Sequence, residues 1–214
     1  MEINEFNIIS VIDSIKEKRI VFHSEADFQF ALAWEIKHLY PDADVRLEYA
    51  YKVDNKVYHI DILVRKEGKC IPIELKYKTL KKSLTLNDEE FTLRNHGAQD
   101  LGKYDYIKDI VRVETLLLED SRFMEGYAIM LTNDPSYWNG STKENICCAA
   151  FDIGDNKDIK GSLEWAEHTG AGTMKNREKP LVLLGEYKMK WYDYSYFDED
   201  RNGTFKYLMA KVVK

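Results

Sequence analysis

Residues 58–78, YHIDILVRKEGKCIPIELKYK, constrain the fold more than any other stretch of this chain. Both arms alternate in hydropathy about the tip Glu67-Gly68, which lies between Lys66 and Lys69. That pattern predicts a β-hairpin with a two-residue turn. Pairing symmetric about the tip sets Asp61 opposite Glu74. Opposed residues of an antiparallel ladder share a face, with Cβ atoms roughly 4.5–5.5 Å apart. Two carboxylates so placed repel, and a divalent cation between them would turn the repulsion into a binding site. Lys76 projects from the same face, because strand side chains repeat with period two. Two acids and a lysine on one patch of sheet suit metal-assisted phosphodiester hydrolysis.

The tripeptide Glu-x-Lys carries no weight alone, since a chain that is 32% charged contains it at residues 35–37, 67–69, 74–76 and 186–188. Only Glu74-Leu75-Lys76 combines a strand, a turn and an upstream acid; an exposed, ion-paired sheet face is its structural alternative. One strand earlier, residues 45–51 alternate and are followed by the turn pair Asp54-Asn55. Symmetric pairing about that turn sets Glu48 opposite Asp61. Glu48 is then either a third acid of the patch or a rim residue paired with Arg46 or Lys52.

The preceding segment, Ser24–Tyr40, reads as a helix. Ser24 is a good N-cap, Asp27 completes a capping-box-like pair, and Pro41 bars continuation. Phe28, Leu32, Ile36 and Leu39 form an apolar stripe headed by Glu25. An acid at the head of a buried stripe is aimed at the sheet, although first-turn acids also favour the helix dipole. A longer helix is expected over residues 97–119, with Leu101, Tyr104, Ile107, Val111 and Leu118 inward. Gln99 and Lys103 share a face of it and could meet a phosphate; a solvated helix start is the alternative.

Asp61 followed by Glu74-Leu75-Lys76, with a helix bearing Glu25 before the strands, resembles the PD-(D/E)XK nuclease superfamily. HSEADFQFALA, IELKYK and GAQDLGKYDYIKDI together are similar to a group of uncharacterised bacterial members, over about residues 20–135. The chain departs from a common family pattern in placing Lys103, not Tyr104, four residues after Gln99. The resemblance implies a restriction-endonuclease-like fold: a three-layer α-β-α sandwich around a central mixed β-sheet, of order α-β-β-β-α-β. It implies Mg²⁺, with Mn²⁺ as a substitute, held by Asp61, Glu74 and Glu25, and catalysis by those acids with Lys76. Lys78, Gln99 and Lys103 are the expected substrate contacts, nucleic acid the expected partner, DNA first, and a homodimer an assembly compatible with it. The alternative is an inactive nucleic-acid- or protein-binding module on the same fold. A glycosidase using paired acids is a third reading, which leaves Lys76 without a role.

A net charge of −6 argues against indiscriminate DNA coating. Phosphate binding needs only a local positive field, and Arg65, Lys66, Lys69, Lys76, Lys78, Lys81 and Lys82 crowd one region. No segment approaches a membrane span. Cys70, Cys147 and Cys148 lack metal-site spacing and point to a reducing cytoplasm. His59 is expected to pack on Asp61's sheet face. Residues 136–214 are expected as a β-rich C-terminal extension. Residues 139–179 read as loop with a short helix near 162–168, followed by a closing hairpin around DEDRNG. Tyr192, Tyr194 and Tyr196 should line one face of that hairpin as packing residues, with base stacking as the alternative.

Overall fold

A computed structural model of the chain describes residues 5–53, 55–141, 146–197 and 202–214. The N-terminal half runs α1 (Ile8–Lys18), α2 (Glu25–Leu39), β1 (Asp44–Val53), β2 (Lys56–Lys66), β3 (Lys69–Lys78), β4 (Lys82–Leu86) and β5 (Glu89–Leu93). Then come α3 (Gln99–Glu119), β6 (Glu125–Thr132), β7 (Asp158–Leu163), α4 (Ala171–Met174), β8 (Leu181–Lys188), β9 (Trp191–Tyr196) and β10 (Thr204–Val213). Six strands form one mixed sheet in the order β1-β2-β3-β6-β10-β9, and β4-β5 and β7-β8 are separate two-stranded ribbons. Within the large sheet β3 and β6 are parallel, joined through α3, and the other neighbours are antiparallel. The fold is therefore mixed α/β with helices on both faces. No described helix is long and apolar enough to cross a membrane.

Local chemistry explains the elements that carry the site. Ser24 Oγ accepts the Asp27 N–H at 3.1 Å, and α2 stops one residue short of Tyr40 as Pro41 requires. Glu67 and Gly68 have φ of 51° and 76°, the pair of positive values that a type I′ hairpin turn demands. The predicted registers hold: Lys66 pairs with Lys69 and Ile62 with Ile73, while Leu47 pairs with Ile62 and Tyr49 with Ile60. Asp54, half of the expected β1–β2 turn, lies outside the described residues, as do residues 198–201 of DEDRNG.

Alternation along β3 divides the core. Ile71, Ile73, Leu75 and Tyr77 pack with Phe22, Phe28, Leu32 and Ile36 on the α1–α2 side. The opposite face meets α3, whose Tyr106, Ile107, Ile110, Val113, Leu116 and Leu117 are buried with Ala128 and Met130 of β6. This corrects the expected α3 stripe: Tyr104 and Ile107 are inward, but Leu101 and Val111 are half-buried and Leu118 is exposed. The helix is rotated because Tyr106, Asp109 and Val113 must cover β3 and β6, a demand that periodicity within α3 does not reveal.

The C-terminal strands are part of the sheet. β10 pairs with β6 along its length and β9 closes the edge, so the expected hairpin completes the central layer. The helix expected near 162–168 does not form: β7, paired with β8, runs to Leu163, and residues 164–168 are loop and turn. Tyr192, Tyr194 and Tyr196 do not share a face. The β9–β10 register shifts at Phe205/Lys206, and the bulge turns Tyr194 into the core while Tyr192 and Tyr196 stay exposed.

Gly126, at the start of β6, marks the closest approach of α3 to the sheet. A Cβ there would lie 2.6 Å from Val113 Cγ1 and 2.9 Å from the Pro72 carbonyl oxygen. Gly126→Ala should lower stability by about 1–3 kcal/mol through overpacking. Urea titration should show a reduced midpoint with an unchanged slope.

Candidate functional site

The β2–β3 ladder stops at Ile62↔Ile73, while β3 continues beside β6 as far as Lys78↔Thr132. Asp61 and Glu74 are the next positions, at the fork where the two strands cease to pair. There the Leu75 N–H is donated at 2.6 Å to the side-chain Oδ2 of Asp61 instead of to a backbone carbonyl. On the other side of β2, Glu48 falls between the regular pairs Leu47↔Ile62 and Tyr49↔Ile60 and has φ of 48°. A left-handed residue inside a strand is strained, and such strain is concentrated at functional sites. Gln29 of α2 ties this point together, donating to Glu48 Oε1 at 2.8 Å and to the Asp61 carbonyl at 2.7 Å.

Glu74 is 1% exposed, and neither carboxylate oxygen receives a hydrogen bond. Its nearest cation is Arg112 of α3, whose Nη1 lies 3.1 Å from Oε2 without hydrogen-bond alignment. Arg112 also donates through Nη2 to the His59 carbonyl at 2.5 Å. Lys76 Nζ sits 2.5 Å from Asp109 Oδ2 and donates to the Leu75 carbonyl at 3.1 Å. Glu25, at the first turn of α2, accepts the Tyr77 N–H at 2.8 Å and so reaches the end of β3 from the helix layer. Among the described residues Asp61, Glu74 and Asp109 share the cations Lys76 and Arg112, so the acids of this group outnumber its cations.

The titration behaviour follows. Burial pushes the Asp61 carboxyl up to about 6; the Leu75 N–H and Lys76 oppose the shift, and Asp109 and Glu25 reinforce it. Burial, then the Asp109 and Asp61 charges, raises Glu74 well above the ordinary range. Burial raises Asp109 as well. Burial alone would lower Lys76, but the adjoining Asp109 carboxylate outweighs it and keeps the ammonium charged. Three raised acids beside a secured cation form the kind of perturbed group that marks functional sites.

Asp61, Glu74 and Lys76 therefore lie near one another towards the end of β3, and Glu25 reaches the Tyr77 N–H beyond them. Lys78 lies beyond them in a neighbouring cleft with Glu25. Gln99 and Lys103 have other work: Gln99 donates to Asp134 at 2.9 Å, and Lys103 is buried 3.6 Å from Asp152. Both side chains of this face of α3 are thus paired with acids that follow β6 in the chain. His59 is exposed and does not pack; only its carbonyl serves the site. Much of the basic cluster is neutralised, Arg65 by Asp44, and Lys66 by Asp42 and Glu67. Asp109, Arg112 and Gln29 were not anticipated. The signal for the first two was a pair of charges, i and i+3, interrupting the apolar run of α3.

The donor set fits a hard divalent cation, which prefers carboxylate and carbonyl oxygen. A buried carboxylate without donors is costly unless a cation meets it, and Glu74 is in that state. Among the described residues no three His, Cys, Asp or Glu side chains are grouped closely enough to cage an ion, so the fit rests on Glu74 with Asp61. Comparison with protein-family models, curated proteins and solved structures finds no match to this chain.

A pH prediction follows. Asp61 keeps its proton to about pH 6 when folded but releases it near pH 4 when unfolded. The folded state then binds more protons, so stability falls as pH rises through that window, and further as Glu74 ionises. Glu74→Gln removes a charge that lacks hydrogen bonds. In EDTA its melting temperature should exceed the parent's at about pH 7.5 and converge with it near about pH 4.5. Parallel melting profiles would remove Glu74 as the source of the strain.

Proposed function

We propose that this chain is a metal-dependent nuclease of the restriction-endonuclease-like, PD-(D/E)XK type, hydrolysing phosphodiester bonds with DNA as the first substrate. The observation that carries the reading is the donor-free buried carboxylate of Glu74, set beside Asp61 and within one strand of Lys76. Asp61 and Glu74, with the Leu75 carbonyl and Glu25 beside them, would hold Mg²⁺, for which Mn²⁺ substitutes. The ion's contribution would be a water of lowered pKa and neutralised charge on the scissile phosphate.

The chain's own residues do the rest. Asp61 is oriented by the Leu75 N–H, which leaves its second oxygen available. Tyr77 fixes Glu25 in the same way. Asp109 keeps Lys76 protonated and holds its ammonium at the end of β3. From there Lys76 orients the attacking water and offsets charge that develops in the transition state. Arg112, beside Glu74, tethers the acid from the helix side.

Glu25 is favoured over Glu48 as the third acid. Glu25 approaches from the helix layer, and octahedral Mg²⁺ cannot take all its ligands from one sheet face. Glu48 is exposed and spoken for by Gln29.

A second reading has its own support. The Lys76–Asp109 and Arg112–Glu74 pairs could be a structural ion-pair network in a module that binds without cleaving. Assays on plasmid, linear and single-stranded DNA with and without Mg²⁺ separate the two. Lys76→Ala should cut turnover by on the order of 10²-fold or more. Glu25→Gln should impair cleavage more than Glu48→Gln. Mg²⁺-dependent cleavage that Lys76→Ala leaves intact would reduce Lys76 to a structural cation, and no cleavage by the parent would favour the binding module.

A further inference from the structure

Beyond the acidic group, at the C-terminal end of β3, lies a cleft of about 530 Å³ between the first turn of α2 and the chain leaving β5. Lys78, Arg94 and His96 line it, and Glu25 is the only acid that does. Neither Lys78 nor Arg94 has an ion-pair partner among the described residues, whereas Arg65, Lys66 and Lys76 do. Glu25 is turned to the Tyr77 N–H. The cleft therefore gathers two cations, Lys78 and Arg94, against the single carboxylate of Glu25, next to a site that gathers acids.

Its walls are fixed in place. Thr79 donates its N–H to His96 Nδ1 at 2.9 Å and its hydroxyl to the Arg94 carbonyl at 2.7 Å, and it accepts the His96 N–H at 2.7 Å. A ring whose Nδ1 accepts a hydrogen bond carries its proton on Nε2. Burial, then the Lys78 and Arg94 charges, lowers the His96 pKa, which keeps that neutral donor form at pH 7. Three side chains are thus offered as donors, two of them charged, and the segment bearing two of them is clamped to β3 before any ligand arrives. A phosphate matches that set, because its oxygens accept several charge-assisted hydrogen bonds at once.

We propose that this cleft is a phosphate subsite for a nucleic-acid strand, taking a phosphate next to the one attacked at the acidic group. The proposal rests on the nuclease reading for the second phosphate but not for the first. Glu25 stands between the two positions, and Lys76 and Lys78 flank Tyr77 on β3. A strand running along the end of β3 would pass from one to the other.

The test is fluorescence anisotropy of a short single-stranded oligonucleotide in EDTA over a series of salt concentrations. Lys78→Gln/Arg94→Gln alters two side chains that are not buried and should fold like the parent, as circular dichroism would verify. Its affinity should fall by about tenfold, with a salt slope shallower by about 1–2, because fewer counterions are released. Inorganic pyrophosphate should compete with the oligonucleotide on the parent and weakly on the variant. Asp61→Asn should bind at least as well as the parent. Unchanged affinity and slope in the double variant, or no binding by the parent, would overturn the subsite. Binding through Lys78 and Arg94 without Mg²⁺-dependent cleavage would instead overturn the nuclease reading and leave the subsite standing.

Discussion

Glu74 sits inside the protein with a carboxyl group that nothing donates to, and the surrounding structure is arranged around that fact. A carboxylate in this position would ordinarily protonate or find a partner. Here the neighbouring acids Asp109 and Asp61 make ionisation harder still, and Arg112 and Lys76 are the cations brought to bear from α3 and β3. The ladder between β2 and β3 ends where these charges begin. A fork of this kind leaves backbone groups for side chains to satisfy, and Asp61 and Glu25 both accept N–H groups of β3.

The two faces of β3 divide the labour. Its odd-numbered residues from Ile71 to Tyr77 are apolar and bind the α1–α2 layer, which holds Glu25 and Gln29 over the end of the strand. Its even-numbered residues carry the charges and face α3, where Asp109 and Arg112 interrupt an otherwise apolar surface. A buried ion-pair network adds little net stability, because desolvation offsets attraction. The adjoining cationic cleft adds a second charge pattern, opposite in sign, on the same end of the sheet.

Features fixed by nearest-neighbour chemistry were legible in the sequence. Glu67-Gly68 sets the β2–β3 register because only one pairing is symmetric about a type I′ turn, and Ser24 with Pro41 bounds α2. Two further elements rest on equally local chemistry. Asn7 followed by Ile8, Val11, Ile12 and Ile15 is a capped helical stripe, and Asn87-Asp88, both at positive φ, turn the β4–β5 hairpin. Other features depend on distant partners. Which side of α3 is buried is decided by β3 and β6, so Asp109 and Arg112 could not be distinguished from solvated charges. The seating of β10 beside β6 joins residues about 80 apart in the chain, and the bulge in β9 reverses the tyrosine pattern. Gln99 and Lys103 share a helical face as expected, but that face is turned to Asp134 and Asp152.

The central claim is that the repulsion between Asp61 and Glu74 exists to bind a divalent cation. Calorimetric titration of metal-free protein with Mn²⁺ at neutral pH tests it without reference to any substrate. Saturable binding by the parent, abolished or greatly weakened in both Asp61→Asn and Glu74→Gln, is the expected result. Binding that both variants retain at the parent's affinity would put the ion elsewhere and contradict the account.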